Sequence, residues 1–303
     1  MPVPTITRRS TPPPELPPFK FAARLDKPVF GDWRDELVTK GYAVVKAVPR
    51  EKALEYREEC FKWLESFPLG FDRSDLWDLR CEQGIIDAFA KIWGTDQLIT
   101  SFDGGSIMLP NRTDVADGGK WEHMDQSLHR RGFYCCQGLV NLNDCGPEDG
   151  GLMVLEGSSK LVEEFFDIHG RESYNSWGHS TGTVGVMSHS RLHGFTDEQQ
   201  EWFFERGCKT MHYNVRPSGD RDRVCTYITM APASLLNDED RALRIKCFEE
   251  RTGTTHVPFA AIYSRSHEPV TRDGQPCPYD TGLPKIQPFE TQRLLQLVGS
   301  ERY

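Results

Sequence analysis

The stretch Arg223-Val224-Cys225-Thr226-Tyr227-Ile228-Thr229-Met230 predicts a β-strand, because β-branched, aromatic and apolar residues fill most of it. Side chains two positions apart point to the same face of a strand, so one face carries Arg223, Cys225, Tyr227 and Thr229. An arginine among such neighbours needs an anionic partner. That partner is either an aspartate or glutamate of the chain itself or the carboxylate of a ligand, which the planar guanidinium can grip with two parallel hydrogen bonds.

Short apolar runs lie upstream of this strand. They occupy 133–136, 139–142 and 152–155. The segment 143–151 between the last two is rich in Gly, Asp and Asn, a pattern typical of an antiparallel hairpin. Earlier in the chain, apolar spacing predicts a helix after Pro49 and another near Gln83–Trp93, closed by Gly94. Helices followed by many short strands indicate an α+β protein with a β core that helices flank.

The bulk composition argues against several classes of protein. The 303 residues carry a formal net charge of -9, which disfavours nucleic acid or anionic lipid as the main partner. No stretch is long and apolar enough to cross a membrane. The nine cysteines are odd in number, irregularly spaced and without a CxxC pair, so the pattern predicts a reducing, cytoplasmic setting and no cysteine zinc site.

The chain divides into two regions. Residues 1–18 are rich in proline and predict a tail that either lacks packed structure or lies extended over the domain. Residues 19–303 contain ample apolar material for a core, and we expect them to form a single domain. The sequence leaves the oligomeric state open, with a homodimer as one alternative.

A candidate metal site lies in the segment Trp121-Glu122-His123-Met124-Asp125-Gln126. If this segment is extended, His123 and Asp125 point the same way and converge on one point, with Met124 turned away. An imidazole and a carboxylate supply two of the three ligands of a facial triad, which leaves three metal positions for a bidentate cosubstrate and for O2. A solvent-exposed loop is the alternative interpretation, since such pairs also arise by chance.

The second half of such a site lies further along the chain. His212 precedes Arg223 by eleven positions, so a third candidate ligand is close in sequence to the strand that carries the arginine. The acidic cosubstrate of such an enzyme needs a fixed cation at its far carboxylate, and arginine suits that role.

Three segments stand in order along the chain: HMD at 123–125, GLVNLNDCGPEDGGLMVLEGSSK at 138–160, and HYNVRPSGDRDRVCTYITMAP at 212–232. Together they resemble the phytanoyl-CoA dioxygenase-like family, and more narrowly its fungal-type members, many of which modify small molecules. The resemblance spans roughly 30–235, most of the chain. It implies that residues 19–303 form a double-stranded β-helix, a cupin-like jelly roll, with flanking α-helices.

The resemblance also implies a site and a reaction. It assigns His123, Asp125 and His212 as ligands of Fe(II). It assigns Arg223 to the C5 carboxylate of 2-oxoglutarate, and it places Gln137 where relatives have a polar residue that faces the cosubstrate or substrate. A strand residue that faces solvent is the alternative for Gln137. The implied activity is an Fe(II)- and 2-oxoglutarate-dependent oxygenase that uses O2 to hydroxylate, desaturate or rearrange a small organic molecule, as in secondary metabolism.

One departure from the family pattern concerns the approach to His212. Relatives carry an apolar strand just before this histidine, whereas here only Lys209, Thr210 and Met211 separate it from a predicted helix that ends at Cys208. Roughly ten to twenty residues are absent, which is two strands at typical length. The loss of a strand would leave backbone groups of its neighbours unpaired and would displace the histidine.

Three explanations of this departure stay open. The strand is rebuilt from 183–195, the chain is a shortened form with impaired metal binding, or residues are missing from the sequence. His189 and His193 are fallback ligands. A catalytically impaired jelly-roll binding protein is therefore one alternative function. A cupin-like enzyme of another class, with zinc or manganese, is the other, and such an enzyme would not need Arg223.

Overall fold

The computed structural model describes residues 29–66, 77–114, 123–125, 133, 135–157, 161–169, 193–194, 202, 212–259 and 287–303. The proline-rich tail predicted at 1–18 lies outside these residues, as do His189 and the boundary expected between residues 18 and 19. The division into a tail and one domain therefore stays a prediction.

Seven α-helices have defined bounds in the described residues, and the helices predicted after Pro49 and near Gln83–Trp93 are confirmed. Helices α1 to α7 span Arg34–Lys40, Arg50–Ser66, Trp77–Arg80, Gln83–Trp93, Val162–His169, Asp238–Glu249 and Gln292–Val298. Helix α4 ends at Gly94, whose left-handed backbone (φ 73°) lets its N–H donate to the Ala90 carbonyl. Within the described ranges, no helix combines the length and the apolar character that a bilayer span requires.

Eight short strands form two antiparallel sheets in the part of the chain that the structure describes. Strands β1 to β8 span Leu98–Thr100, Gly105–Met108, His123–Met124, Gln137–Asn141, Gly151–Val154, His193–Gly194, His212–Val215 and Arg223–Pro232. The first sheet contains β1, β2, β4 and β8, and the second has the order β5-β7-β3-β6. Both candidate histidine ligands lie in the second sheet, and Arg223 begins the longest strand of the first.

The strand predicted at 223–230 is β8, and it is the central strand of the first sheet. Strands β2 and β4 flank it, because Cys225 is paired with Ser106 of β2 on one side and with Asn141 of β4 on the other. Strand β1 pairs with the far end of β8, and residues 101–104 connect β1 to β2. Nearly every residue of β8 is buried, so both faces of this sheet are covered.

The back face of the first sheet packs against α4. Ile228 and Met230 lie in one buried apolar cluster with Phe89 and Trp93 of that helix. The Trp93 indole N–H also donates to the Met230 carbonyl at 2.8 Å. Gly138 of β4 allows this close approach, since a Cβ there would lie 2.8 Å from the Ile228 carbonyl oxygen and 3.2 Å from the Phe89 ring. The opposite face of the sheet is the one that carries Arg223.

The architecture is mixed α+β, as the sequence predicted. Helices α1 to α4 precede the strands and α6 and α7 follow them, so flanking helices come from both ends of the described chain. The two sheets are small and antiparallel. The described residues do not show their closure into one jelly roll, which stays a prediction.

Arg244 of α6 holds the C-terminal part of the chain together. Its fully buried guanidinium donates to four carbonyl oxygens, those of Thr100 (2.7 Å), Pro258 (3.0 Å), Leu297 (3.0 Å) and Val298 (2.8 Å). The guanidinium carbon also lies 4.5 Å from the centre of the Phe102 ring. Burial lowers the pKa of Arg244 to about 9. One side chain therefore ties β1, α7 and the segment before residue 259 to α6.

An Arg244→Leu variant is expected to lose about 3 kcal/mol or more of unfolding free energy, because buried carbonyl groups are left without donors. Urea denaturation measures the change. The matched control is Arg302→Leu, which removes an exposed ion pair with Asp238 and is expected to change stability by less than about 0.5 kcal/mol. Equal losses in the two variants would contradict the role of Arg244.

Candidate metal centre

The two histidines face each other across a pair of antiparallel strands. His123 of β3 is directly opposite His212 of β7 in the backbone register. Opposite residues in such a pair project their side chains to the same face. The two imidazole rings accordingly lie 4.3 Å apart between centroids, with 48° between their planes. His123 is buried and His212 is half-buried.

Asp125 completes the group. It lies two positions after His123, and its Oδ1 is 3.6 Å from His123 Nε2. Its Oδ2 is 3.2 Å from His212 Nε2. The three donor atoms all lie within 4.8 Å of one another, and no other such group of His, Cys, Asp or Glu occurs among the described residues.

The donor set fits a single metal ion. Bonds of about 2.1 Å at right angles would place two donors roughly 3 Å apart. The observed separations of 3.2 Å and 3.6 Å need only a small contraction to reach that value. Two imidazoles and one carboxylate form the facial arrangement that leaves open positions on a divalent transition metal such as Fe(II).

The carboxyl group of Asp125 is ionised at neutral pH. Burial by itself raises its pKa, but the hydrogen bond with His212 and the charges of His212, His256 and His123 outweigh that effect. The pKa of Asp125 is therefore held well below its ordinary value. A metal ligand must be deprotonated, so this environment prepares the carboxylate for coordination.

Gln137 lies against the same carboxylate. Its side-chain N–H donates to Asp125 Oδ2 at 2.9 Å. It begins β4, where it is paired with Thr229 of β8, and its side chain is exposed. This contact joins the first sheet to the candidate metal ligands and restrains the oxygen that also contacts His212.

Arg223 is buried with part of its guanidinium unpaired. It is 1% exposed. Its Nη1 donates to Asn214 Oδ1 at 3.2 Å and lies 3.7 Å from Met108 Sδ. Its Nε and Nη2 have no hydrogen-bond partner in the described part of the chain, and no described aspartate or glutamate pairs with it. The internal ion pair that the sequence left open is thus not found among those residues.

The unpaired Nε and Nη2 atoms of Arg223 form one edge of its guanidinium. Two other arginines of this chain bind carboxylates through the same edge. Arg57 donates from Nε (3.0 Å) and Nη2 (2.6 Å) to the two oxygens of Asp222. Arg50 grips Asp144 in the same way, at 3.2 Å and 2.6 Å. An arginine buried with this edge unpaired is costly unless an anion meets it. A ligand carboxylate that met this edge would offset that cost.

The start of β8 is held by a polar network that fixes the position of Arg223. Asn143 donates to the Asp222 carbonyl at 2.6 Å and accepts from the Val224 N–H at 3.2 Å. Asp222 in turn pairs with Arg57 of α2. These bonds hold the backbone on both sides of Arg223 and so restrain its direction.

The face of β8 that carries Arg223 is otherwise uncharged. Burial raises the pKa of Tyr227 to about 12 and raises the pKa of Cys225 as well, so both stay neutral at physiological pH. Thr229 is the next residue on that face. In the described strand, the positive charge of Arg223 is therefore not compensated by its own neighbours.

The short approach to His212 does not displace it. Strand β7 pairs with β3 directly and with β5 on its other side, where Val154 is opposite His212. Strand β6 lies in the range 183–195 that the sequence offered as a substitute, and it pairs with β3, with Gly194 opposite His123. The structure brings the two histidines and Asp125 together, so the fallback role of His193 is not needed; His189 lies outside the described residues.

Two residues near the site were missed by the sequence analysis. Asn214 lies two positions after His212, so strand alternation could have placed it on the same face. His256 lies in a C-terminal region without regular structure, and its Nε2 is 3.2 Å from the carbonyl oxygen of Asp125. No spacing rule connects His256 to the HMD motif.

Comparison with known proteins gives one informative relative. Ava biosynthesis cluster protein O of Aspergillus versicolor is 31% identical over 275 residues, which covers 76% of this chain and 86% of the relative. No protein-family model matches the chain. No solved structure matches it either.

Metal-free protein is expected to lose an Asp125-dependent part of its stability in acid. Because the native pKa of Asp125 is lowered, the ionised carboxylate stabilises the fold fully above about pH 5, and this contribution is lost progressively as the pH falls through the unfolded pKa of about 3.9 towards the native pKa. Urea unfolding of chelator-treated protein measures the free energy of unfolding. The difference in this free energy between wild type and Asp125→Asn should shrink between about pH 5 and pH 3. An advantage that is independent of pH would exclude this role.

Proposed function

The chain belongs to the same family as Ava biosynthesis cluster protein O, and from that premise we propose that it is an Fe(II)- and 2-oxoglutarate-dependent oxygenase of the phytanoyl-CoA dioxygenase-like type. It acts on a small organic molecule and O2, in a biosynthetic pathway of secondary metabolism. The observation that carries the proposal is the combination of a His-Asp-His donor set with a buried arginine whose Nε and Nη2 are unpaired.

His123, Asp125 and His212 would hold the Fe(II) ion. Their two imidazoles and one carboxylate are the ligands that leave positions for a chelating cosubstrate and for O2. Gln137 keeps one carboxylate oxygen of Asp125 in place through its 2.9 Å hydrogen bond. The low pKa of Asp125 keeps that ligand ionised at neutral pH.

Arg223 would anchor 2-oxoglutarate. This cosubstrate has a 2-oxo acid end that can chelate a metal and a second carboxylate at its far end. Arg223 offers its Nε and Nη2 atoms for two parallel hydrogen bonds with that second carboxylate. Asn214 on β7 occupies the remaining Nη1 atom and so sets the plane of the guanidinium. A metal enzyme that uses no anionic cosubstrate would have no need of a buried unpaired arginine.

The chemistry is divided between cofactor and protein. When bound, the iron would activate O2, which is the oxidant; 2-oxoglutarate would give up two electrons to O2 as it is converted to succinate and CO2, and the substrate would be oxidised by hydroxylation, desaturation or rearrangement. The residues of this chain bind and orient the reactants. His123 and Arg223 are both buried, so one metal ligand and the proposed carboxylate anchor are shielded from bulk water.

The proposed fold is a jelly roll over residues 19–303. Its support is the pair of four-stranded antiparallel sheets in the described residues, whose eight strands match the number that a jelly roll uses. Two hydrogen bonds, from Gln137 to Asp125 and from Arg223 to Asn214, link the first sheet to the second. A cytoplasmic location, and the absence of nucleic-acid and membrane partners, are proposed from composition alone.

Anaerobic reconstitution tests the proposed activity. Wild-type protein with Fe(II) and 2-oxoglutarate is expected to show a weak metal-to-ligand absorption band and, after O2 is admitted, to form succinate. An His123→Ala variant should lose both, because one metal ligand is removed. The exposed His169 of α5 provides the control, since His169→Ala should keep the band.

The two ways in which this experiment could fail point to the two alternative functions. Wild-type protein that retains no iron favours a catalytically impaired binding protein. Protein that retains metal but shows no band and forms no succinate favours a cupin-like enzyme of another class. Either result would contradict the oxygenase proposal.

An Asn214→Asp variant tests the role of Arg223. The substitution hardly changes side-chain volume but places a carboxylate against Arg223 Nη1, so the guanidinium charge is compensated within the protein. Charge-assisted hydrogen bonds contribute about 1.5–3 kcal/mol, and 2-oxoglutarate is therefore expected to bind at least about 10-fold more weakly. Titration of the absorption band measures the affinity. An Asn214→Ser control keeps a neutral acceptor, and equal weakening in both variants would argue against charge compensation.

A further inference from the structure

The segment from Thr254 to Phe259 is anchored on both sides of His256. The Thr254 N–H donates to the Phe102 carbonyl at 3.0 Å, and the Phe102 N–H donates back to Thr254 Oγ1 at 3.2 Å. On the other side, the Pro258 carbonyl accepts from buried Arg244 at 3.0 Å. Thr254 and Phe259 are themselves buried. The backbone that carries His256 is thus held although it belongs to no helix and no extended strand.

His256 points from this segment to the backbone of the metal-binding loop. Its Nε2 lies 3.2 Å from the carbonyl oxygen of Asp125, and the side chain is partly buried. A backbone carbonyl can only accept a hydrogen bond, so Nε2 carries the proton and donates it. Asp125 directly follows the two-residue strand β3, and among the described residues no strand pairing holds its carbonyl.

We propose that His256 is a positioning residue for the metal-binding carboxylate, and that its imidazole N–H sets the peptide that follows Asp125. The inference rests on the metal site of the proposed function. It does not depend on 2-oxoglutarate or on O2.

The position of Asp125 is then defined from two directions. Gln137 holds the carboxylate at Oδ2, and His256 holds the carbonyl of the same residue. The rotamers open to a side chain depend on its backbone φ and ψ, so a change in the orientation of this peptide would change the rotamer with which the Asp125 carboxylate reaches His123 and His212. Removal of a group that hydrogen-bonds to a metal ligand and orients it typically lowers metal affinity by about 10- to 100-fold.

A matched pair of variants tests the hydrogen bond itself. Methionine and glutamine have similar length, but only the glutamine amide can donate a proton from a position close to that of imidazole Nε2. The full-length chain is titrated with Co(II), and binding is followed by the visible absorption of the ion. We expect His256→Met to bind Co(II) about 10-fold more weakly with a changed spectrum, and His256→Gln to retain most of the affinity and the wild-type spectrum.

Thermal unfolding of the metal-free variants, with His169→Met as the control on an exposed histidine, shows whether the fold is kept. If His256→Met does not fold, His256→Gln alone tests the proposal. Folded His256→Gln with wild-type Co(II) affinity and spectrum supports the proposal, and folded His256→Gln with weakened Co(II) binding overturns it. Equal affinity of wild type and His256→Met also overturns it. Wild-type protein that binds no Co(II) would instead contradict the metal site, and with it both proposals.

Discussion

The register between β3 and β7 is the constraint on which the candidate site depends. Side chains alternate along a strand, so a slip of β7 by one residue would turn His212 and Asn214 to the other face and bring Tyr213 into their place. The slip would remove a metal donor and the contact to Arg223 at once. Strand β5 restrains β7 against this slip from the other side of β7, where Val154 is paired with His212. Two neighbouring strands therefore specify the register that the chemistry needs.

Two buried arginines show how differently the fold treats the same charged group. Arg244 satisfies its guanidinium inside the protein, with four carbonyl acceptors and the face of Phe102. Arg223 uses only Nη1 in this way, and the described residues leave Nε and Nη2 unpaired. Burial of a charge is costly in both cases, but only Arg244 recovers that cost through the protein alone. We infer that Arg244 serves stability and Arg223 serves binding.

The predictions from sequence succeeded for single elements and failed for the pairing of strands. The antiparallel hairpin predicted around 143–151 is wrong, because β4 pairs with β8 and β5 pairs with β7 in the other sheet. The strand at 223–230 and the end of α4 at Gly94 follow from residue propensities and from the left-handed backbone that glycine tolerates. The shared direction of His123 and Asp125 follows from alternation along an extended segment. The sequence predicted that the few residues before His212 would displace this histidine. The number of those residues does not reveal that β7, which carries His212, pairs directly with β3 and β5.

Periodicity and the cost of burying charge were sufficient to predict the α+β character of the chain, the shared direction of His123 and Asp125, and the need of Arg223 for an anion. Contacts between distant segments were needed to show that His212 faces His123, that Gln137 donates to the Asp125 carboxylate and that His256 lies against the Asp125 carbonyl. Asp125 and His256 are 131 positions apart, and no local preference connects residues at that separation. Buried anchors on either side of His256, made through Phe102 and Arg244, hold the segment from which His256 reaches Asp125.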